Sequence, residues 1–259
     1  MSEPSTLQAA APRRPLFAVR DLVRRYGELT VLDGVGFEIW PGECFVILGR
    51  SGSGKSVLLR QLDGLEQPDA GSILFDGGEI VGLSEHGLLP LRRRVAMLFQ
   101  GGALFDSMTV AENVGYPLAQ HRELSKAEIA EKVAEKLALV HLPGIEEKMP
   151  SALSGGMKKR VALARSLALD PEAVLFDEPT TGLDPMTSAT IARLIQKVHG
   201  LGMTCVVVTH DMPLARRVAD RIAFLDGGRF RFVGSWAEAE RSSDAGLKAF
   251  LAGEEEETP

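Results

Sequence analysis

The chain has little cysteine: Cys44 and Cys205 are the only two among 259 residues. Each lies inside an apolar run that reads as a buried strand. Both are therefore read as small hydrophobes in a reducing compartment, not as a disulfide or a metal site. Histidine is also scarce, at five, and no Cys/His cluster has metal-ligand spacing. Basic charge is not in excess: 29 Lys and Arg face 35 Asp and Glu, for a formal net charge of -6. That balance argues against nucleic acid as a partner bound through overall charge. No apolar run approaches the ~20 residues a helix needs to cross a bilayer. Residues 1–15 are rich in Ala, Pro and Ser and carry Arg13 and Arg14, but they lack the apolar stretch of a signal peptide. They read as a flexible leader. The expectation is a cytoplasmic protein whose work at a membrane needs a partner.

Against these absences stands an ordinary globular composition, 45% hydrophobic and 25% charged, in a length that suits one α/β domain. Phe17 to Leu22 and Phe37 to Ile39 read as short strands. Cys44 to Leu48 is a continuous apolar run, the pattern of a central strand covered on both faces. Gly71 to Phe75 and Val95 to Phe99 follow as strands. From Gln100 to Pro150 no buried-strand run appears. There, Ser125 and Glu128 form a capping-box pattern, followed by Ile129, Val133 and Leu137 at helical spacing. Strand and helix then alternate again: Val174 to Phe176, a helix marked by Ile191, Leu194, Ile195 and Val198, and Thr204 to Thr209. Next comes a helix capped by Asp211, then a hairpin turning at Asp226-Gly-Gly-Arg229. This order predicts an α/β fold with a mainly parallel sheet. The main domain is expected over 16–246, with a helical subdomain inserted at about 101–165. Residues 247–259 are expected to form a terminal helix and an acidic tail.

Gly49, Arg50, Ser51, Gly52, Ser53, Gly54, Lys55 and Ser56 match G-x-x-x-x-G-K-[ST], with a buried strand before them and a helix after. The glycines let backbone N–H groups turn toward phosphate oxygens, and the helix N-terminus adds partial positive charge. Lys55 can neutralise the β- and γ-phosphates, and the Ser56 hydroxyl can ligate Mg²⁺. This loop specifies nucleoside triphosphate binding but not the use made of it.

The later motifs narrow the choice. Leu153-Ser154-Gly155-Gly156-Met157 stands at a predicted helix start. Ala173 to Phe176 is an apolar strand ending in Asp177 and Glu178, and Gly182-Leu183-Asp184-Pro185 follows. Val206 to Thr209 ends in His210. With Gln100 and Tyr26, this order resembles the ABC ATPase family over about residues 16–235. The resemblance implies a P-loop NTPase (RecA-like) core, with an antiparallel β portion and the helical insertion, that binds and hydrolyses ATP with Mg²⁺. It implies Mg²⁺ ligation by Ser56, Gln100 and Asp177. It also implies an attacking water oriented by Glu178, a γ-phosphate contact from His210 and an adenine stacked on Tyr26. Ser154, Gly155 and Gly156 are implied to close over ATP bound to a second protomer, giving a homodimer with two interfacial nucleotides. Lys158 to Arg160 read as a solvated helix face.

Met157 departs from the Gln usual at the fifth signature position. Together with the stretch from Gln100 to Val114, continued by Tyr116-Pro117-Leu118, it resembles the ATPases of Mla-type (maintenance of lipid asymmetry) systems. Those work with MCE-domain proteins to move phospholipids between bacterial membranes. The resemblance therefore implies an ATPase at the cytoplasmic side of the bacterial inner membrane, held there by a transmembrane permease, with an MCE-domain protein and a small STAS-type accessory subunit in the complex. An importer ATPase for a polar solute, such as an amino acid, shares every catalytic motif. A repair ATPase would interrupt the domain with a long coiled coil and a translation ATPase would carry two domains; the chain shows neither feature. Leu104, Phe105, Met108 and Val110 are expected beside an apolar groove that receives a permease helix.

Overall fold

In the computed structural model the described residues are 14–120 and 124–253. The expected leader before Arg14 and the acidic run after Gly253 lie outside them.

A hairpin opens the fold: β1 (Phe17–Tyr26) pairs antiparallel with β2 (Leu29–Ile39). The run at Phe37 to Ile39 is thus the end of a long strand, not a separate short one. β3 (Cys44–Leu48) leads into α1 (Lys55–Leu62), and β4 (Ala70–Phe75) and the two-residue β5 (Gly78–Glu79) complete an antiparallel sheet in the order β2-β1-β4-β5. α2 (Leu89–Arg94) is a short helix that precedes β6 (Val95–Leu98).

The helical stretch follows. It contains α3 (Val110–Gln120), α4 (Lys126–Leu139), a 3₁₀ turn at Pro150–Ala152 and α5 (Gly155–Ser166). The Ser125/Glu128 capping box is formed at the start of α4, each side chain bonding the other residue's backbone N–H. β7 (Ala173–Asp177) is followed by α6 (Pro185–Gly200). Asp184 caps α6 by accepting from the N–H groups of Met186 and Thr187, with Pro185 at the first turn. β8 (Thr204–Thr209), α7 (Met212–Val218), β9 (Arg221–Asp226), β10 (Arg229–Gly234), α8 (Trp236–Glu240) and α9 (Ala245–Ala252) close the chain.

The second sheet runs β10-β9-β3-β8-β7-β6. It is parallel except for the β9–β10 hairpin. All five residues of β3 are buried, and they alternate between two cores. Cys44, Val46 and Leu48 face the core shared with α5, α6 and the helical stretch, whereas Phe45 and Ile47 face the core shared with α1 and the antiparallel sheet. Period-two alternation with both faces covered explains why the run reads as continuously apolar. Because β3, β8, β7 and β6 are parallel neighbours, their C-terminal ends lie side by side. Gly49, His210, Glu178 and Gln100 follow those ends within two residues. Ligands of parallel α/β sheets bind at that edge.

Candidate nucleotide site

The loop after β3 wraps into α1 through Gly54, whose φ of 98° at the N-cap is a left-handed conformation that favours glycine. Lys55 begins the helix and is 5% exposed. Its Nζ donates to the carbonyls of Gly49 at 2.7 Å and Arg50 at 2.9 Å, and it lies 3.5 Å from the Glu178 carboxylate. Burial pulls the Lys55 pKa below the ordinary lysine value, while Glu178 and Asp177 act in the opposite sense. The Ser56 hydroxyl donates to Asp177 Oδ1 at 2.6 Å. Burial raises the Asp177 pKa, the Ser56 hydrogen bond opposes that rise, and the neighbouring Glu178 adds to it. The Ser53 hydroxyl is buried with no hydrogen-bond partner.

Glu178 is 8% exposed and adopts a φ of 46°, unusual for a residue with a Cβ. Its carboxylate lies 3.0 Å from His210 Nδ1, and the hydroxyls of Thr181 and Thr209 donate to it at 3.4 Å each. Thr180 Oγ1 donates to Asp211 at 2.7 Å, and Asp211 also caps α7, so this segment is tied to the end of β8 as well.

A cleft of about 450 Å³ opens over these groups. Ser51, Gly52, Gly54, Lys55, Ser56, Gln100, Glu178 and His210 line it, as do Val31, Val57 and Thr181, which sequence reasoning missed. Val31, on β2, enters from another sheet, and its position has no signal in local sequence. Gly49, Arg50 and Ser53 belong to the loop but do not line the cleft, and Asp177 reaches it through Ser56. The set suits a nucleoside triphosphate: buried cationic and backbone donors on one side, a carboxylate and an imidazole on the other. A hydroxyl and a carboxylate 2.6 Å apart, with Gln100 on the same cleft, suit Mg²⁺. That ion keeps several waters and takes few protein ligands beside phosphates. Among the described residues no cluster of three or more His, Cys, Asp or Glu is placed to hold a metal alone.

Four predicted residues stand elsewhere. Tyr26, at the end of β1, is 43% exposed. Its hydroxyl donates to Glu66, and the Arg24 guanidinium lies 4.6 Å from its ring centroid. Arg60 on α1 also donates to Glu66, at 3.1 Å, which links Tyr26 to the helix that starts at Lys55. Ser154 is the N-cap of α5, accepting from the Met157 N–H, and Gly155 and Gly156 form its first turn. None of the three lines this chain's own cleft. A Cβ at Gly156 would collide with Thr187 Cγ2, so glycine lets α5 approach α6.

The reading of Lys158 to Arg160 as a solvated face fails for Lys159, which is 7% exposed. It stands four residues before the buried Leu163, on the inward side of α5. Cys44 and Cys205 are buried free thiols, register partners on β3 and β8. Val110 is fully buried and Leu104 packs on the core, so these two fill structure. Phe105 is 40% exposed.

The fold and the cleft define a phosphate-loop nucleotide-binding protein of the α/β class, with most of its cleft residues at one parallel sheet edge. The ABC transporter family profile matches residues 32–181, more than half of the chain, and the chain belongs to that family. It is 41% identical over 239 residues to the intermembrane phospholipid transport system ATP-binding protein MlaF of Escherichia coli K12, covering 92% of this chain and 89% of the relative. It is 44% identical over 221 residues to the methionine import ATP-binding protein MetN of Rhizobium johnstonii, covering 85% of this chain but 61% of that relative's length. Among solved structures, the dimeric post-hydrolysis state of the cassette MJ0796 bound to ADP and Pi matches at a TM-score of 0.79 and 33% identity, covering 85% of this chain and 98% of that chain. The cbiO1 structure from Clostridium perfringens matches at 0.80 and 32%, covering 92% and 95%.

Proposed function

We propose that this ATPase powers phospholipid transport between membranes as the nucleotide-binding subunit of an Mla-type system. The observation that carries the reading is the similarity to MlaF, which extends over 92% of this chain and 89% of that relative. Met157 in the signature agrees with it. In this reading the subunit sits at the cytoplasmic face of a bacterial inner membrane, bound to a transmembrane permease, with an MCE-domain protein and a STAS-type subunit in the same complex. In the same reading attachment runs through the permease; no helix among the described residues is long and apolar enough to cross a membrane. An apolar groove of about 570 Å³ between α3 and α4, lined by Met108, Ala111, Tyr116, Ile129 and Val133, suits a permease helix.

At the site, Lys55 and the loop N–H groups hold the phosphates, and Ser56, Asp177 and Gln100 would hold Mg²⁺, which would offset phosphate charge. Glu178 orients and deprotonates water. His210 senses the γ-phosphate, and Tyr26 stacks on adenine once it is released from Glu66. Ser154, Gly155 and Gly156 serve the nucleotide of a second copy in a homodimer. The dimeric form of the cassette MJ0796 supports that assembly.

Import of a polar solute such as an amino acid is the second reading, favoured by the 44% identity to the methionine import protein. Affinity purification from membranes with mass spectrometry separates the two. Co-purification of a permease with an MCE-domain protein is expected, and Met108→Asp should reduce the permease yield. Recovery of a solute-binding protein would transfer the chain to the import reading.

A further inference from the structure

Among the described residues three lysines are buried: Lys55, Lys136 and Lys159. The first two lie beside carboxylates, Lys55 at 3.5 Å from Glu178 and Lys136 at 2.5 Å from Asp170. Lys159 has no carboxylate within salt-bridge distance among the described residues. Its ammonium instead meets backbone carbonyls alone: Thr181 O at 2.8 Å, Pro179 O at 2.9 Å and Glu178 O at 3.5 Å. An ammonium has three donors and no acceptor, and here all are directed at one four-residue segment. A buried cation is costly unless such partners satisfy it.

That segment is the one on which the proposed hydrolysis depends. Glu178 sits at its head with a φ of 46°, a conformation that persists in a residue with a Cβ only when its surroundings enforce it. The Glu178 N–H is fixed by the Val208 carbonyl at 3.0 Å, on the sheet side. On the other side the fixed partner is Lys159, which belongs to α5. We infer that Lys159 is a positioning residue for ATP hydrolysis, clamping the Glu178–Thr181 segment so that the Glu178 carboxylate stays aimed into the cleft.

The clamp has a second consequence, which rests on the composite-dimer reading above. Lys159 lies a little over one turn into the helix whose first residues face the partner's nucleotide in that reading. Closure of α5 over the partner's ATP would then bear directly on Glu178 in the same chain. The strut between the two nucleotide sites would be one side chain long.

Lys159→Met, which keeps the apolar stem and removes the donors, is expected to lower kcat for ATP by about tenfold to a hundredfold, the upper figure being the scale for misplacing a reacting group by about 1 Å. Equilibrium binding of a fluorescent ATP analogue is expected to change by no more than about twofold. Lys159→Gln retains two N–H donors and is expected to recover part of the loss. In a Glu178→Gln background, Lys159→Met should produce no further drop in residual turnover, because its effect passes through Glu178. Wild-type turnover in Lys159→Met would overturn the assignment. So would turnover and affinity falling together, or independent, multiplying effects in the double variant. If Lys159→Met does not fold, the same kcat-against-affinity split is read on Lys159→Gln. ATP-dependent dimerisation of Glu178→Gln, followed by light scattering, tests the composite-dimer reading separately. Its failure would remove the inter-site strut and leave the clamp standing on the kcat data.

Discussion

Ser56 Oγ donates a 2.6 Å hydrogen bond to Asp177 Oδ1, joining the first turn of α1 to the last residue of β7. Two proposed Mg²⁺ ligands, 121 residues apart in the chain, are thereby set in place before nucleotide arrives. Ser56→Ala is expected to raise the Mg²⁺ concentration needed for half-maximal ATPase by about tenfold or more, while Mg²⁺-free nucleotide binding is largely kept. The raised Asp177 pKa adds a pH sign. Protonation of the carboxylate begins at higher pH than for an exposed aspartate, so apparent Mg²⁺ affinity should fall on acidification earlier than for an ordinary carboxylate site. An unchanged Mg²⁺ requirement in Ser56→Ala would remove this pair from the metal site.

Ser154 offers a clean probe of the composite dimer. Substituting Gly156 would perturb the chain's own packing, because a side chain there collides with Thr187. Ser154→Asp keeps a good N-cap for α5 and places a negative charge where the partner's phosphates are proposed to lie. Each homodimer of Ser154→Asp or Lys55→Ala should be impaired at both sites. A mixed dimer should carry both lesions at one site and leave the other site intact. Equal nucleotide loss at both sites of the mixed dimer, measured by stoichiometric ATP binding, would count against the trans arrangement.

Asp63 carries a pH-dependent stability. It sits at the C-terminal cap of α1 and is 7% exposed. Burial pushes its carboxyl from an ordinary 3.8 up to about 7, with Arg92 acting in the opposite sense. The folded pKa exceeds the unfolded one, so the contribution to stability is fully present below the unfolded value and is lost as pH rises through about 7. Asp63→Asn, a neutral near-isostere, should therefore be more stable to unfolding than wild type at pH 8, by on the order of a few kcal/mol. The gain should shrink at pH 5. A gain equal at both pH values would show that ionisation of Asp63 is not its source.

Much of this site could be read from the sequence because its chemistry is written in short, contiguous motifs. The run from Gly49 to Ser56 needs particular residue types at fixed spacing, and Asp177 with Glu178 follows an apolar strand whose end is unambiguous. β3 was legible because both its faces are covered, which leaves an uninterrupted apolar run. Other features had no local signature. Three consecutive arginines, Arg92 to Arg94, masked the six-residue helix α2. Val31 lines the cleft only because β2 folds back over the loop after β3. Lys159 reads as solvated in a Lys-Lys-Arg run. Its burial depends on how α5 seats against a loop some twenty residues later, a tertiary fact that local pattern does not encode. Tyr26 is engaged by Arg24 on its own strand and by Glu66, 40 residues further along the chain, a contact with no local signature.

Glu178 is proposed to supply the group that directs water in the cleft. Its carboxylate lies 3.0 Å from His210 and 3.5 Å from Lys55. The direct measurement is steady-state ATP turnover by Glu178→Gln beside its equilibrium nucleotide occupancy. Turnover is expected to be lower by about a hundredfold or more, with ATP binding retained and an ATP-bound dimer accumulating. Turnover close to wild type, or loss of nucleotide binding in step with loss of turnover, would contradict that role.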